Sequence, residues 1–249
     1  MSSVPRSTAR AFAQPGQNRI LELLPATGRE RLLAHAQQRS FGLSDTLVPP
    51  NRPLRHVLFP TTCVGSALTV MGDGSAVETG TIGNEGFIGL QVLFGVGSVP
   101  DETVCQIPGE ALIIPADAFA TALDASSALR HVLMRYTQYV LTLSSQSTAC
   151  NRLHTVPQRY ARWVLMTHDR VGRDDFSLTQ EFLAMMLGVR RASVSVAASA
   201  LRDAGVVDYN RGAVRVVDRP GLEGASCECY RATRDEYDRL LGNHHSGLI

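Results

Sequence analysis

The sequence predicts an α+β fold, in which an N-terminal antiparallel β-roll of the jelly-roll type precedes a long helix and a smaller helical unit with a β-hairpin. Three observations predict it. Short β-prone runs separated by Gly, Pro, Asp and Asn fill residues 41–115, and a long helical pattern covers residues 126–152. Two adjoining helices joined by a glycine follow at residues 178–201.

These patterns divide the 249 residues into five segments. We expect a flexible arm at 1–17, a β-roll at 18–125, a long helix at 126–152, a helical unit with its hairpin at 153–220 and a tail at 221–249. A hydrophobic content of 44% is enough to fill two cores. One further helix is expected in the tail, and the pattern assigns it no role.

The roll segment begins with a helical pattern that Pro25 interrupts, which predicts two small helices at 18–24 and 29–38. Five β-prone runs follow, and Asp73-Gly74 between two of them is typical of a tight hairpin. Many short strands with regularly spaced turns favour an antiparallel roll that hides its edges.

A glycine-rich stretch lies inside the roll segment, at residues 83–90. Three glycines in seven residues would let successive backbone N–H groups converge on an anion. Glycine-rich β-turns are common, so an ordinary turn is the alternative.

The segment at 126–152 has apolar residues spaced by threes and fours, and no residue between Tyr136 and Asn151 is charged. That spacing is typical of paired helices, so we expect the helix to be covered by the roll and by a second copy of the chain. A core helix of a monomer is the alternative. The predicted dimer interface consists of Leu129, Val132, Tyr136, Val140 and Leu143.

Residues 178–201 have the spacing of a helix-turn-helix. Gly188 can adopt the left-handed backbone that a sharp turn between two helices needs. Ser177 or Thr179 is expected to cap the first helix, and Ala184 leaves room for the two helices to cross closely. Two β-prone runs after the second helix predict a two-stranded wing.

The second of these helices leaves short and cationic side chains on its outer face. Arginine can bind guanine at two atoms in the major groove and short hydroxyls can approach phosphates closely, so this face suits DNA. An ordinary helical hairpin with a solvated face is the alternative. The residues predicted to contact DNA are Thr179, Gln180, Arg190, Arg191, Ser193, Ser195 and, in the wing, Arg211.

The net charge of +1 conceals an uneven distribution. Residues 1–149 carry 10 basic and 11 acidic side chains, residues 150–220 carry 11 and 7, and residues 221–249 carry 3 and 5. Positive charge is therefore concentrated in the segment with the helix-turn-helix, as phosphate binding requires.

Other classes of function find little support. The sequence contains no Walker A, G-x-S-x-G, H-E-x-x-H or paired C-x-x-C motif, so an enzyme is not expected. No apolar run approaches the roughly 18 residues of a membrane helix, and we expect a cytoplasmic protein without membrane contact. Five cysteines without framework spacing favour a reducing compartment. Cys227 and Cys229 form a single C-x-C pair, for which we predict buried or reducible thiols and no metal.

In this order of elements, the chain resembles the Crp/Fnr family of bacterial transcription regulators over about residues 18–220. The motifs that carry the resemblance are ALTVMGDGSAVETGTIGNEGFIGL and LTQEFLAMMLGVRRASVSVAASALRDAGVV. The resemblance implies a cyclic-nucleotide-binding-type roll that senses a signal and a winged helix-turn-helix that binds palindromic promoter DNA. The partners it implies are double-stranded promoter DNA, a second copy of the chain in a homodimer, and RNA polymerase.

Two departures from the family concern the ligand. Where members that respond to cyclic AMP have a ribose-binding Glu and a phosphate-binding Arg-Ser pair, this chain has Leu90 and Glu102-Thr103. A carboxylate at the phosphate position would repel cyclic AMP by about 1–4 kcal/mol, so we do not expect it to bind. An unidentified small-molecule effector is the open alternative, and no cofactor is assigned. The candidate pocket residues are Gly86, Phe87, Ile88, Gly89, Leu90, Thr103, Ser144 and Ser145.

A third departure concerns the base-reading helix. Members that read TGTGA-type half-sites carry Arg, Glu and Arg where this chain has Arg191, Ala192 and Val196, so we expect Arg191 to read a guanine in a different half-site. The leading hypothesis is a homodimeric DNA-binding regulator whose roll is a sensor or a scaffold. The alternative is a ligand- or partner-binding module whose helix-turn-helix makes protein contacts only.

Overall fold

The computed structural model describes residues 17–210 and 212–242. The helices in these ranges are α1 (Arg19–Glu22), α2 (Ala26–Leu33), α3 (Ala116–Ala125), α4 (Ser127–Leu153), α5 (Val156–Val171), α6 (Gln180–Leu187), α7 (Arg191–Asp203), α8 (Arg219–Ala225) and α9 (Cys229–Leu241), with a 3₁₀ helix at Leu90–Phe94. The strands are β1 (Gln37–Phe41), β2 (Thr46–Val48), β3 (His56–Pro60), β4 (Val64–Val70), β5 (Ala76–Ile82), β6 (Glu102–Ile107), β7 (Gly109–Pro115), β8 (Asp175–Ser177), β9 (Val207–Asn210) and β10 (Ala213–Val216).

Two antiparallel sheets form the N-terminal β-roll. One has the strand order β1-β7-β3, and the other has the order β2-β6-β4-β5. The β4–β5 hairpin turns at Gly74, whose φ of 84° is the positive backbone angle that the Asp73-Gly74 pair predicts. Apolar side chains from both sheets fill the interior of the roll. The α+β fold with an antiparallel roll is thereby confirmed.

Several short elements differ from the sequence prediction. The second short helix was expected at 29–38, but α2 ends at Leu33 and Gln37–Phe41 forms β1. Four of the five β1 residues are exposed and polar, so the strand lacks the alternation by which strands are recognised, and its pairing with β7 stabilises it instead. The short strands β2 and β8 and the helix α3 were also not predicted, because each depends on packing against distant residues.

The long helix is confirmed as α4, which Ser126 caps by accepting a hydrogen bond from the N–H of Leu129 at 3.2 Å. The predicted dimer face needs correction. Leu129, Tyr136 and Leu143 are 2%, 1% and 5% exposed and lie in a core formed with the roll and α9 of the same chain. Val132 and Val140 are half-buried against that core. Helical spacing identifies a buried face but does not tell an intramolecular neighbour from a second copy.

The C-terminal unit packs α5, α6 and α7 against the small sheet β8-β10-β9. Trp163 on α5 is 6% exposed in this core, beneath the helix-turn-helix. The same core continues into the roll through Val64, Leu68 and Ile107, so the two units share buried apolar side chains.

The tail returns to the body of the molecule. Helix α9 runs antiparallel to α4, since Cys229 at its start lies beside His154 and Tyr237 near its end packs edge-on to Tyr139 with ring centroids 5.0 Å apart. The hydroxyl of Tyr237 donates a hydrogen bond to the carbonyl of Glu85 at 2.9 Å. The tail helix therefore covers one side of α4 and reaches the glycine-rich turn of the roll.

Within the described ranges, no single helix is long and apolar enough to cross a membrane. Helices α6 and α7 together have sufficient length and apolar composition, but they are bent by 105° relative to each other. Composition of this kind is weak evidence for a membrane span, and the apolar side chains of both helices belong to the core of the C-terminal unit.

Candidate functional site

The helix-turn-helix has the geometry that its sequence predicts. Helices α6 and α7 meet at 105°, and Gly188 between them adopts φ 60° and ψ 39°. Of the two predicted caps, Thr179 caps α6, because its hydroxyl accepts a hydrogen bond from the N–H of Phe182 at 3.1 Å. The inner face of α7 is buried through Val194, Ala197, Ala198 and Leu201.

The outer face of α7 is open to solvent. Arg190, Arg191 and Ala192 at its N-terminus are exposed, and Val196 one turn later is 70% exposed. The predicted contacts Ser193 and Ser195 are half-buried at the edge of this face. An exposed apolar side chain in a row with two arginines is suited to a surface that meets both phosphates and base edges.

Two contacts join this face to α6. Arg191 Nη1 lies 2.8 Å from Glu181 Oε1, and both side chains are more than 60% exposed. The hydroxyl of Ser195 donates to Gln180 Oε1 at 2.9 Å. The predicted residues Gln180, Arg191 and Ser195 are thus brought together on one surface, whereas Glu181 was not predicted as the partner of Arg191.

The wing consists of β9 and β10, with β8 as a third strand. Its turn contains Gly212 at φ 82°, and the predicted contact Arg211 lies outside the described residues. Arg215 on β10 forms an ion pair with Asp175 on β8, with Nε and Oδ1 at 2.7 Å. That hydrogen bond lowers the pKa of the Asp175 carboxyl and stabilises the strand pair.

Backbone N–H groups of the glycine-rich turn are already hydrogen-bonded to acceptors in the chain, two of them inside the turn. The N–H groups of Gly83, Gly86 and Ile88 donate to Glu85 Oε2, to the Gly83 carbonyl and to the Leu58 carbonyl at 3.0, 3.1 and 2.8 Å. The predicted pocket residues Gly86, Phe87, Ile88 and Gly89 are buried, and Leu90 is half-buried. Three of the N–H groups that were expected to converge on an anion therefore already have partners.

The remaining pocket residues lie apart from one another. A Cβ added at Gly65 would approach Ile88 Cδ1 to 2.8 Å and Thr103 Cγ2 to 3.3 Å, so Thr103 and Ile88 meet in the packed interior of the roll. Ser144 and Ser145 are exposed on α4. These two sets do not line one common space, because α4 directs its serines outward.

A buried ion pair at the same turn was not predicted. Arg170 on α5 and Glu85 lie 3.0 Å apart through Nε and Oε1, with side chains 5% and 8% exposed. The guanidinium also donates to the Met166 and Thr81 carbonyls at 2.7 and 3.2 Å. Burial is the largest single influence on the pKa of Arg170 and lowers it, but Glu85, Tyr139 and Asp169 together raise that pKa above its usual value.

Next to this ion pair is a cavity of about 460 Å³ between α1, α5, α9 and the glycine-rich turn. Polar and aromatic side chains line it, among them Arg19, Asp169, Arg234 and Tyr237. The cavity lies outside the roll, so it differs from the pocket that the family resemblance implies.

A titratable carboxyl lies where the roll meets the C-terminal unit. Glu78 on β5 accepts hydrogen bonds from Ser66 at 2.6 Å and from Trp163 Nε1 at 3.2 Å. Burial raises the pKa of Glu78 from 4.5 to about 7, although these hydrogen bonds act in the opposite direction. The Glu78 carboxyl therefore keeps its proton to a higher pH than a solvent-exposed Glu does.

Residues able to hold a metal lie at the far end of α4. The sulfur atoms of Cys150, Cys227 and Cys229 and a ring nitrogen of His154 are all within 4.8 Å of one another. The sequence shows only the C-x-C pair, because its two companions are more than 70 residues away. A hydrogen bond from Cys227 lowers the pKa of the Cys150 thiol.

The comparisons with known proteins agree with this geometry. Residues 158–225 match the Crp-like helix-turn-helix domain, and no curated protein matches the sequence. The chain is similar to the structure of FixK2 from Bradyrhizobium japonicum, with 15% identity, a TM-score of 0.63, and coverage of 77% of this chain and 98% of that one. It is also similar to TTHB099, a transcriptional regulator of the CRP family from Thermus thermophilus, with 18% identity, a TM-score of 0.60, and 77% and 99% coverage.

A third similar structure is CLP, a c-di-GMP-responsive global regulator from Xanthomonas campestris, with 16% identity, a TM-score of 0.59, and 77% and 99% coverage. TM-scores of 0.59 to 0.63 show a shared fold, and identities below 25% show the fold alone. The segment matched to the domain model extends from α5 to α8 and so includes the helix-turn-helix and its wing. Residues 158–225 are a Crp-like helix-turn-helix domain, and the chain has the fold of the Crp/Fnr family of transcription regulators.

Proposed function

We propose that the chain is a transcription regulator that binds specific double-stranded DNA sequences as a homodimer. The observation that carries this proposal is the outer face of α7, where Arg190, Arg191 and Val196 are exposed above a buried apolar face. A recognition helix reads base edges with its N-terminal residues, and these are the exposed ones here. RNA polymerase is the further partner that such a regulator would contact.

The two domains of the proposal are the roll at 18–125 and the winged helix-turn-helix at 153–220, joined by the long helix at 126–152. The concentration of basic side chains in the second unit favours phosphate binding there. We place the protein in the cytoplasm, where a DNA-binding regulator acts, and we assign it no enzymatic role.

The homodimer is proposed through the exposed face of α4. The residues of this face are separated by threes and fours, which is the spacing of a coiled-coil seam, and those between 134 and 148 are uncharged. They are Ser127, His131, Met134, Gln138, Leu141, Ser145, Thr148 and Arg152. Met134 and Leu141 are 57% and 58% exposed, so a second copy would remove two large apolar side chains from water.

We infer that cyclic AMP is not the effector. The Leu90 side chain offers no hydrogen bond to a ribose, and Glu102 and Thr103 at the start of β6 stand where the resemblance implies a phosphate-binding Arg-Ser pair. The packing of Ile88 and Thr103 against Gly65 further disfavours a charged ligand in the roll. Calorimetric titration of the chain with cyclic AMP should give no binding heat, and a stoichiometric binding isotherm would contradict this inference.

The DNA-binding proposal is tested by selecting duplexes from a random pool with the wild type and with Arg191→Ala. We expect the substitution to cost about 1–3 kcal/mol in specific binding and to abolish the preference at one base pair of each half-site. Arg202→Ala is the matched control, since Arg202 lies in the last turn of the same helix. An identical selected motif for wild type and Arg191→Ala would remove the assignment of Arg191, and no duplex binding at low salt would favour the partner-binding alternative.

The dimer is tested by sedimentation of Met134→Glu beside the wild type. A charge within the seam should shift the chain from dimer to monomer, because two like charges would face each other across the two-fold axis. Met71→Glu is the matched control, since Met71 is a methionine of similar exposure (58%) in the β4–β5 hairpin. A dimer that persists in Met134→Glu would place the interface elsewhere.

A further inference from the structure

Four metal-ligating side chains converge where the tail helix meets the end of α4. Cys150 lies in the last turn of α4 and His154 caps the end of that helix, while Cys229 begins α9 and Cys227 lies two residues before it. All four donor atoms lie within 4.8 Å of one another, and the three cysteines are 1%, 4% and 0% exposed. The two pairs of side chains are more than 70 residues apart in the sequence, and the fold brings their metal-binding atoms together.

The separations match those of ligands around one tetrahedral ion. Zinc–sulfur bonds of about 2.3 Å and zinc–nitrogen bonds of about 2.0–2.1 Å place tetrahedral sulfur atoms about 3.8 Å apart and sulfur and nitrogen about 3.5 Å apart. The Cys150 and Cys227 sulfurs are 3.5 Å apart, and the Cys229 sulfur is 3.5 Å from His154 Nδ1. A cluster of several irons would hold its thiolates farther apart than a single ion does.

The groups around the four donors also fit a metal site. Glu228 Oε2 lies 3.2 Å from His154 Nε2, so the carboxylate can accept the Nε2–H bond and leave Nδ1 as the ligand. Gln146 Nε2 donates to the Cys229 sulfur at 3.0 Å, which stabilises a thiolate. A carboxylate behind the histidine and an amide donor on a sulfur are the usual outer partners of zinc ligands.

Charge supplies an independent argument. Three thiolates, a neutral imidazole and Zn²⁺ leave one negative charge at the site. Arg159 and Arg162 on α5 are the neighbouring cations that interact electrostatically with Cys150. Both are buried, and the Nε atom of each has no hydrogen-bond partner among the described residues. A negatively charged metal centre would compensate these buried guanidinium groups.

We propose that Cys150, His154, Cys227 and Cys229 bind one Zn²⁺ per chain in a closed tetrahedral site. Sulfur donors select zinc over magnesium or calcium, and four protein ligands leave no position for a substrate, so the role is structural. The ion fastens the start of α9 to the end of α4, immediately before the winged helix-turn-helix begins. The tail then becomes a part of the regulator's framework.

The experiment uses the full chain, purified under reducing conditions. Elemental analysis should find about one zinc per chain. After removal of the zinc by a chelator at mildly acidic pH, added Co²⁺ should give the intense visible absorption of a tetrahedral thiolate site, and added Zn²⁺ should abolish it. No zinc in the wild type together with no Co²⁺ absorption would overturn the proposal, and so would iron with acid-labile sulfide.

Variants test the identity of the ligands. Cys229→Ala should lose the stoichiometric zinc, whereas Cys63→Ala, which removes an equally buried thiol from the roll, should keep it. Glu228→Gln is the second test, because it removes no ligand and changes a side chain that is 76% exposed. We expect it to fold and to bind Zn²⁺ about 10–100-fold more weakly than the wild type in a competition with a chelator. Unchanged zinc content in Cys229→Ala would overturn the assignment of the ligands.

Discussion

The helix-turn-helix and the glycine-rich turn of the roll are both recognisable in the sequence, but the structure uses them differently. In the first, Gly188 provides the expected left-handed turn and the outer face of α7 stays open to solvent. In the second, residues 83–89 are enclosed by α1, α4, α5 and α9. The helix-turn-helix exposes the side chains of its outer face to solvent, whereas the glycine-rich turn is packed among four helices.

Three consecutive carbonyls of the glycine-rich turn accept hydrogen bonds from distant parts of the chain. The Asn84 carbonyl accepts a hydrogen bond from the N–H of Arg19 at 2.7 Å, and the Glu85 carbonyl accepts one from Tyr237. The side chain of Asn18 donates to the Gly86 carbonyl at 2.8 Å. Local spacing therefore determines the backbone of such a turn, but residues far away in the sequence determine whether the backbone remains available to a ligand.

The largest expected effect comes from breaking the ion pair that holds this turn to α5. Arg170→Met should lower the free energy of unfolding by about 3–5 kcal/mol, because Glu85 would remain buried without its partner. Chemical denaturation monitored by Trp163 fluorescence measures this change in the free energy of unfolding. The double variant Arg170→Met/Glu85→Gln should recover much of the loss, since it removes both charges. A loss below about 1 kcal/mol in the single variant would mean that solvent reaches Glu85.

The sequence predicts the elements that depend on near neighbours in the chain, and it does not predict those that depend on distant partners. The long helix, the helix-turn-helix and the β4–β5 hairpin depend on neighbours in the chain, and their spacing predicts them. Strand β1 and the Arg170–Glu85 pair depend on partners 68 to 85 residues away in the sequence, for which local spacing offers no guide. The cysteine cluster is intermediate, because the sequence contains half of it as a C-x-C pair and the fold brings the other half.

A pH dependence is expected at Glu78, where β5 of the roll meets Trp163 on α5 of the C-terminal unit. The pKa of Glu78 is raised from 4.5 to about 7, so the folded chain keeps a proton that the unfolded chain releases between these values. Stability should therefore fall as pH rises through this window. Glu78→Gln cannot ionise, and its stability relative to the wild type should increase by about 1–3 kcal/mol between pH 4.5 and pH 8.

Denaturation curves at several pH values measure this difference. Glu30→Gln on the exposed surface of α2 is the control, and its curve should run parallel to that of the wild type. Parallel curves for Glu78→Gln as well would show that the carboxyl at the junction titrates as it does in the unfolded chain.

A matched pair of tyrosines compares the two regions directly. Tyr237 donates to the buried Glu85 carbonyl at 2.9 Å, and Tyr209 on β9 donates to the Leu178 carbonyl at 3.1 Å beside the helix-turn-helix. Tyr237→Phe should cost about 1 kcal/mol, since it leaves a buried acceptor unpaired, and Tyr209→Phe should cost less, since Tyr209 is only half-buried. Thermal denaturation of both variants shows which substitution costs more stability. Equal losses would contradict the difference in enclosure between the two motifs.

The smallest effect on folding is expected at the surface pair of Arg191 and Glu181. Both side chains are more than 60% exposed, so Glu181→Gln should change the free energy of unfolding by less than about 1 kcal/mol. Its effect on DNA should be more evident, because Arg191 must leave Glu181 before it can bind a base. We expect duplex affinity to rise a few-fold at low salt and the gain to shrink as salt increases. Asp203→Asn removes the same charge from the far end of α7, where Arg202 is its partner, and should produce a smaller gain. If both variants gain equally, net charge alone is responsible, and the pairing of Arg191 with Glu181 does not control how this face meets DNA.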